Sequence, residues 1–199
     1  MDDPAHETLR ADPEMATLVD RWGPVEVAPA DDEFERLAVS IVNQQLSTAS
    51  ATAVRERVFD LLDGQVTPDR VLAADERALR EAGLSSAKVE YVRNAARAFE
   101  ERDLTREGLA DHEDQAVIDI LTEIRGVGTW TAHMYLIFVL AREDVLPLGD
   151  LAVRKGIQQV YGNGAELSRD EMREVAAAWR PYRSYGTRYI WLEYENGDA

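Results

Sequence analysis

The stretch Leu121-Thr-Glu-Ile-Arg-Gly-Val-Gly-Thr-Trp-Thr-Ala132 constrains the fold of this chain more than any other segment. Leu121 and Ile124 are spaced as on the apolar face of a helix, and Gly126 and Gly128 provide backbone freedom for a tight turn. Thr129 can cap a second helix. The stretch therefore predicts two helices joined by a hairpin of about four residues.

The same hairpin is suited to an anion. In such a turn the amide N–H groups of Gly126, Gly128 and Thr129 point outward from the start of the second helix, where unpaired donors and the helix dipole favour negative charge. A DNA phosphate fits this description without any lysine. The alternative is an ordinary corner between two helices, because Gly-x-Gly by itself is common.

The rest of the chain also has a helical pattern. Apolar residues recur at spacings of three and four in five segments, which are Phe34–Val42, Ala53–Leu62, Val89–Phe99, Val117–Ile124 and Val175–Trp191. Glycine and proline interrupt the pattern at Gly23-Pro24, Gly64–Pro68, Gly83, Gly126–Gly128, Pro147–Gly149 and Gly162–Gly164. No convincing alternating strand is present, so we predict an all-α fold made of short helices.

A single acidic residue follows the hairpin in Pro147-Leu-Gly-Asp150, 22 residues after Gly128. The Leu148-Gly149 loop can present this carboxylate at the start of the next helix, Leu151–Tyr161. A fixed anion in a dry site can stabilise positive charge that develops on a substrate. The alternative is that Asp150 is only a helix N-cap, which is a very common role for aspartate.

Composition excludes several classes of protein. With 45% apolar residues the chain can bury a real core, and with no cysteine it can hold neither a disulfide nor an iron-sulfur cluster on thiolates. It contains no run of 18 apolar residues, and Met1-Asp-Asp-Pro is unlike a signal peptide. These features predict a soluble, cytoplasmic protein.

Net charge has the wrong sign for a conventional DNA-binding protein, because 22 basic residues oppose 38 acidic ones to give −16. The excess lies largely outside the hairpin region. Residues 121–160 contain Glu123, Glu143, Asp144 and Asp150 against Arg125, Arg142, Arg154 and Lys155, so this stretch is neutral.

The acid-rich and lysine-poor composition suggests a halophilic source, because only Lys88 and Lys155 are lysines among the 22 basic residues. Such a composition keeps a protein hydrated and soluble in a cytosol of molar salt. At about 1 M salt the Debye length is roughly 3 Å, so long-range repulsion of DNA by a distant acidic face would be largely screened. We expect the free energy of unfolding, measured by urea titration, to differ between dilute and molar KCl. Equal values in the two solutions would contradict the hypothesis.

Three further segments, together with the hairpin and Asp150, carry a family resemblance: Ile41-Val-Asn-Gln-Gln-Leu-Ser47, Gly83-Leu-Ser-Ser-Ala-Lys88 and Trp179-Arg-Pro-Tyr-Arg-Ser-Tyr185. From Phe34 to Tyr194 the chain resembles the helix-hairpin-helix DNA glycosylase superfamily, and most closely its 3-methyladenine DNA glycosylase II (alkylpurine) branch. The resemblance implies one all-α unit over 1–199 without an iron-sulfur cluster. It would have a central lobe at about 37–135, a second lobe from about 1–36 plus 136–199, and a cleft between the two.

The resemblance also implies a function. The chain would be a monomeric, monofunctional glycosylase of base excision repair that flips alkylated purines out of double-stranded DNA and hydrolyses the N-glycosidic bond with Asp150. Trp130 stands where bifunctional relatives carry a Schiff-base lysine, so no strand-cleaving lyase step is expected. The alternatives are a glycosylase of the same fold for deaminated or etheno bases, and a non-catalytic DNA-binding module.

Site residues follow from the same resemblance. The base pocket would contain Trp130, Tyr182, Tyr185 and Met134. DNA contacts would come from Gly126, Val127, Gly128, Thr129, Gln44, Gln45, Leu46, Ser85 and Lys88, with Gln45 or Leu46 filling the gap left by the flipped base. No cofactor is required, although a structural Na⁺ or K⁺ ion could bind the backbone carbonyls of Thr122, Ile124 and Val127.

Each of these assignments has a structural alternative. Four aromatic residues can be core packing on the last helix: Trp179, Tyr185, Tyr189 and Trp191. Met134 can be a core or rim residue, and Asn43–Ser47 can be a polar turn in which Ser47 caps the next helix. Gly83 and a following serine can simply end one helix and begin another.

Overall fold

Every regular element in the described part of the chain, residues 3–46 and 48–197, is helical in the computed structural model, which confirms the all-α prediction. The α-helices are α1 Pro4–Leu9, α2 Pro13–Trp22, α3 Glu33–Asn43, α4 Thr48–Leu61, α5 Pro68–Ala73, α6 Glu76–Glu81, α7 Ser86–Glu101, α8 Asp114–Thr122, α9 Thr129–Phe138, α10 Leu151–Tyr161, α11 Arg169–Val175 and α12 Arg183–Asn196. A 3₁₀ turn covers Ala176–Trp179. Within the described residues, no helix has the length and apolarity that crossing a membrane requires.

Short polar side chains begin many of these helices. The carboxylates of Asp12, Asp32 and Asp75 each accept a hydrogen bond from an amide in the first turn of α2, α3 and α6. Gly23 and Gly64 follow the ends of α2 and α4 with positive φ angles. The six predicted breaks lie between helices, except that Pro68, the last residue of one break, is the first residue of α5.

The helical pattern across Val175–Trp191 does not form one helix. α11 ends at Val175, the 3₁₀ turn follows, and α12 starts only at Arg183. Pro181 interrupts the run, because proline has no N–H to donate and its ring obstructs the preceding helical turn. The prediction of continuous helix here was wrong.

The chain divides into two compact units: a central unit, Pro29–Leu140, and a terminal unit, Met1–Ala28 with Ala141–Ala199. In the central unit α3 packs against α7 and α9, and α8 packs against α9. Its core contains Leu37, Ile41, Val117, Leu121 and Leu136, all nearly inaccessible to solvent. Burial of each such side chain contributes about 1.5–3 kcal/mol.

In the terminal unit α10 packs along α12 around Val153, Ile157 and Ile190. Gly156 allows this close approach, because a Cβ at that position would lie 2.5 Å from Cγ2 of Ile190. The start of α10, which carries Asp150, is thereby held near the side of α12.

A buried carboxylate fastens α2 to α12 in the same unit. Glu193 accepts hydrogen bonds from Nη1 of Arg21 (2.8 Å) and from Nε1 of Trp22 (2.9 Å). Both oxygens of this side chain are therefore paired, which a buried charge requires.

Candidate functional site

The predicted hairpin lies between α8, which ends at Thr122, and α9, which begins at Thr129. Its connection is longer than the four residues expected, because Glu123 to Gly128 stand outside both helices. Two short turns shape it: Ile124 N donates to Leu121 O (3.1 Å), and Val127 N donates to Ile124 O (2.9 Å).

The two hairpin glycines differ in what they provide. Gly126 has φ +103°, and a Cβ there would lie 2.1 Å from Cγ of Tyr91. Gly128 has φ −97° and ψ 177°, a conformation open to any residue, and a Cβ there would meet nothing within 4 Å. The prediction that both glycines supply backbone freedom is therefore corrected: the fold requires glycine at 126, whereas at 128 the missing side chain leaves open space.

Helix α9 begins without a side-chain cap. Gly128 is the N-cap residue, and Thr129 is the exposed first residue of the helix rather than its cap, contrary to the sequence prediction. The reason is that Gly128 already has the extended conformation that a cap position needs. The N-cap residue thus has no side chain to cover the first turn of α9, where the helix dipole has its positive end.

Two side chains of the central unit hold the hairpin: Gln44, which directly follows α3, and Asn94 of α7. Nε2 of Gln44 donates to Gly126 O (2.9 Å) and to Oγ1 of Thr131 (2.9 Å), and Nδ2 of Asn94 donates to Arg125 O (3.2 Å). Gln44 therefore reaches the hairpin through its amide group, and its role as a DNA contact stays a prediction.

The two residues after Gln44 are exposed. Gln45 has φ +56° and Leu46 is 38% accessible, and the gap-filling role of either one stays a prediction. Ser47, the suggested cap of α4, lies outside the described residues. The side chain of Lys88 is bound to the end of α3, where its Nζ donates to Val42 O (2.7 Å). Desolvation by burial lowers the pKa of Lys88.

The Gly83–Lys88 segment has the capping geometry given as its structural alternative. Gly83, with φ +113°, follows α6, and Oγ of Ser85 accepts from Lys88 N (3.2 Å) at the start of α7. A DNA contact by the exposed Ser85 is a prediction in addition to this structural role.

Asp150 caps α10, as its structural alternative states. One carboxylate oxygen, Oδ1, accepts from Val153 N (2.9 Å) and from Nε1 of Trp191 (3.2 Å). Trp191 is half-buried on α12, so its indole both packs on the core and orients the carboxylate. The loop before Asp150 is held by Arg154, whose Nη1 donates to the carbonyls of Leu148, Gly149 and Asp150.

The aromatic candidates differ in exposure. Trp130, the second residue of α9, and Tyr182, which precedes α12, are half-buried. Met134 and Tyr185 are buried; burial raises the pKa of Tyr185 to about 12, and its hydroxyl lies 3.3 Å from Oε1 of Glu143. The ring of Tyr182 meets that of Tyr185 edge to face at 5.9 Å. Exposed aromatic surface is therefore present at Trp130 and Tyr182.

The suggested ion site consists of backbone carbonyls at the hairpin. Ile124 O, one of its three predicted ligands, already accepts from Val127 N, which leaves one lone pair for a cation. No group of three or more His, Cys, Asp or Glu side chains that could hold a metal occurs within the described residues. The Na⁺ or K⁺ site at Thr122, Ile124 and Val127 stays a prediction.

Comparison with known proteins gives a family match. Residues 38–181 match the family model described as HhH-GPD superfamily base excision DNA repair protein. The chain is 31% identical over 175 residues to the DNA-3-methyladenine glycosylase of Saccharomyces cerevisiae, covering 83% of this chain and 59% of that protein. It is 28% identical over 162 residues to the putative DNA-3-methyladenine glycosylase YfjP of Bacillus subtilis, covering 78% of this chain and 56% of that protein. The chain thus spans little more than half the length of these two curated relatives.

Two solved structures are similar along nearly the whole chain. One is a DNA-3-methyladenine glycosidase from Bacillus halodurans, with a TM-score of 0.82, 34% identity, and coverage of 98% of this chain and 91% of that one. The other is the 3-methyladenine DNA glycosylase Mag1 of fission yeast in complex with abasic DNA, with a TM-score of 0.88, 27% identity, and coverage of 99% of both chains.

Proposed function

The chain belongs to the HhH-GPD superfamily of base excision DNA repair proteins, and from this premise we propose that it is a DNA glycosylase that releases alkylated purines from double-stranded DNA. The similarity to proteins named 3-methyladenine glycosylases supports this substrate class. The single observation that carries the chemistry is the fixed carboxylate of Asp150.

Asp150 is suited to the hydrolysis of an N-glycosidic bond. As the base leaves, C1′ of the sugar acquires oxocarbenium character, and a preorganised anion stabilises that charge. Donors from Val153 and Trp191 hold Oδ1 in one orientation, so little reorganisation is needed during the reaction. The same carboxylate can orient or deprotonate the attacking water.

The hairpin is suited to bind a phosphate of the DNA backbone. The N-cap residue of α9, Gly128, has no side chain, and a Cβ at its position would meet nothing within 4 Å, so the start of the helix is open to an approaching group. A phosphate can approach this corner as closely as the backbone allows. Backbone donors can bind a phosphate without any basic side chain, which is compatible with the net charge of −16.

We propose a role in base recognition for two half-buried aromatic residues, each considered within its own unit: Trp130 in the central unit and Tyr182 in the terminal unit. An alkylated purine such as 3-methyladenine carries positive charge, and aromatic faces attract cations by about 0.5–2 kcal/mol. This preference would distinguish the damaged base from a normal one.

The lesion range and the reaction type can be tested together. Duplexes that carry 3-methyladenine, 7-methylguanine, hypoxanthine, ethenoadenine or uracil are incubated with the chain in molar KCl, and free base is measured by chromatography. We expect release from the first two, and strand cleavage only after treatment with alkali, because Trp130 offers no amine for a covalent intermediate.

Two results would change the assignment. Release restricted to hypoxanthine, ethenoadenine or uracil would move the chain to another lesion class. Strand cleavage without alkali would contradict monofunctional hydrolysis.

We further propose that the chain acts as a cytoplasmic monomer and needs no cofactor.

A further inference from the structure

A guanidinium group occupies the inside of the loop that leads to Asp150. Nη1 of Arg154 lies 2.9 Å from Leu148 O, 3.0 Å from Gly149 O and 3.1 Å from Asp150 O. Arg154 stands one helical turn after Asp150 on α10 and is half-buried. Nη1 of Arg154 thus donates hydrogen bonds to the carbonyl oxygens of three consecutive residues.

Three consecutive carbonyls converge on one point only if the backbone curls around it. Their partial negative charges repel each other, so the curled form needs a cation or strong donors at its centre. The loop has only two short backbone bonds of its own, Leu148 N to Leu146 O (3.0 Å) and Asp150 N to Pro147 O (2.8 Å). Arg154 therefore supplies much of what holds this loop in shape.

Both sides of the loop are fastened to α12 in the terminal unit. Upstream, the carboxylate of Asp144 binds Nε and Nη2 of Arg183 at 2.6 and 3.0 Å, and Oγ of Ser184 donates to Arg142 O at 2.6 Å. Downstream, Nε1 of Trp191 binds Oδ1 of Asp150. The stretch between these anchors, 146–149, is the part that Arg154 organises.

We propose that Arg154 is a positioning residue for the Asp150 carboxylate, and that it acts by holding the Leu148–Asp150 carbonyls rather than by contacting substrate. This inference rests on the proposed function. The charge of Arg154 is directed to backbone oxygens, so its loss should affect the orientation of Asp150 more than DNA affinity.

The kinetic test compares Arg154→Ala and Arg154→Lys with the wild type in single-turnover base release. A misplacement of about 1 Å costs on the order of 100-fold in rate, so we expect that loss in Arg154→Ala with unchanged affinity for a duplex that carries an abasic analogue. Lysine places an ammonium donor near the same carbonyls, so Arg154→Lys should be intermediate. Millimolar guanidinium chloride should restore part of the Arg154→Ala rate.

The matched control is Arg173→Ala. It removes an arginine from a helix of the same unit, but Arg173 is exposed and pairs with Asp170. We expect its rate and affinity to equal those of the wild type. A wild-type rate in folded Arg154→Ala, or a parallel loss of affinity and rate without guanidinium rescue, would overturn the proposal.

A second readout does not depend on activity. The indole N–H of Trp191 reports the bond to Asp150, and its resonance in a ¹⁵N–¹H spectrum is assigned with Trp191→Phe. In Arg154→Ala it should move towards its position in Asp150→Ala, where the acceptor is gone. An unmoved resonance would overturn the positioning role. Absence of base release by the wild type would instead refute the proposed function and leave this spectral test valid.

Discussion

The variant Asp150→Asn is expected to bind alkylated duplex DNA as the wild type does and to release the base about 10³-fold more slowly. The substitution separates the two roles of the residue. Asparagine is as good an N-cap as aspartate, and its Oδ1 can still accept from Val153 N and Trp191 Nε1. What it lacks is the negative charge that stabilises the sugar cation and activates water.

The matched control for this variant is Asp12→Asn. Oδ1 of Asp12 also accepts from an amide in the first turn of a helix, Met15 N (3.0 Å), and from an aromatic side chain, the hydroxyl of Tyr161 (3.0 Å). Thermal unfolding of the two variants shows whether loss of charge at a capping aspartate harms the fold. Equal base release by Asp150→Asn and the wild type would reject the assigned role.

The variant Gly126→Ala is expected to lose about 3 kcal/mol of unfolding free energy, a large part of the total stability of an ordinary domain. Its φ of +103° disfavours any side chain, and the new Cβ would lie 2.1 Å from Cγ of Tyr91. Urea unfolding followed by circular dichroism measures the loss. A Gly126→Ala chain as stable as the wild type would show that the hairpin has another conformation.

Gly128→Ala provides the contrast, because a methyl group at this position meets no neighbour and the backbone is already extended. We expect a stability change below about 1 kcal/mol. DNA affinity should fall by about tenfold or more, since the methyl group keeps a phosphate away from the first-turn amides. Fluorescence anisotropy with a duplex that carries an abasic analogue measures the change.

Local sequence patterns predicted the hairpin and the capping position of Asp150 because both depend on residues close together in the chain. They could not show that Gly126 and Gly128 differ, because that difference depends on Tyr91, which approaches Gly126 from another helix. The predicted role of Thr129 failed for a related reason: the extended backbone at Gly128 moves the cap position back by one residue.

Contacts that orient the candidate site were missed where the two partners lie far apart in the sequence. Trp191 is separated from Asp150 by 41 positions and Gln44 from Gly126 by 82, and no periodicity reports such pairs. Arg154 could have been noticed as a cation one turn after a capping aspartate. Its actual partners are backbone carbonyls, however, and these leave no side-chain signature in a sequence.

The most direct measurement of the central claim is the affinity for two duplexes that differ only in charge at the reacting sugar. One carries a neutral tetrahydrofuran abasic analogue, and the other a pyrrolidine ring whose protonated nitrogen imitates the sugar cation. We predict that the wild type binds the charged analogue about 100-fold or more tightly than the neutral one, and that Asp150→Asn removes this preference. An equal preference in the wild type and Asp150→Asn would contradict the claim that this carboxylate stabilises the reacting sugar.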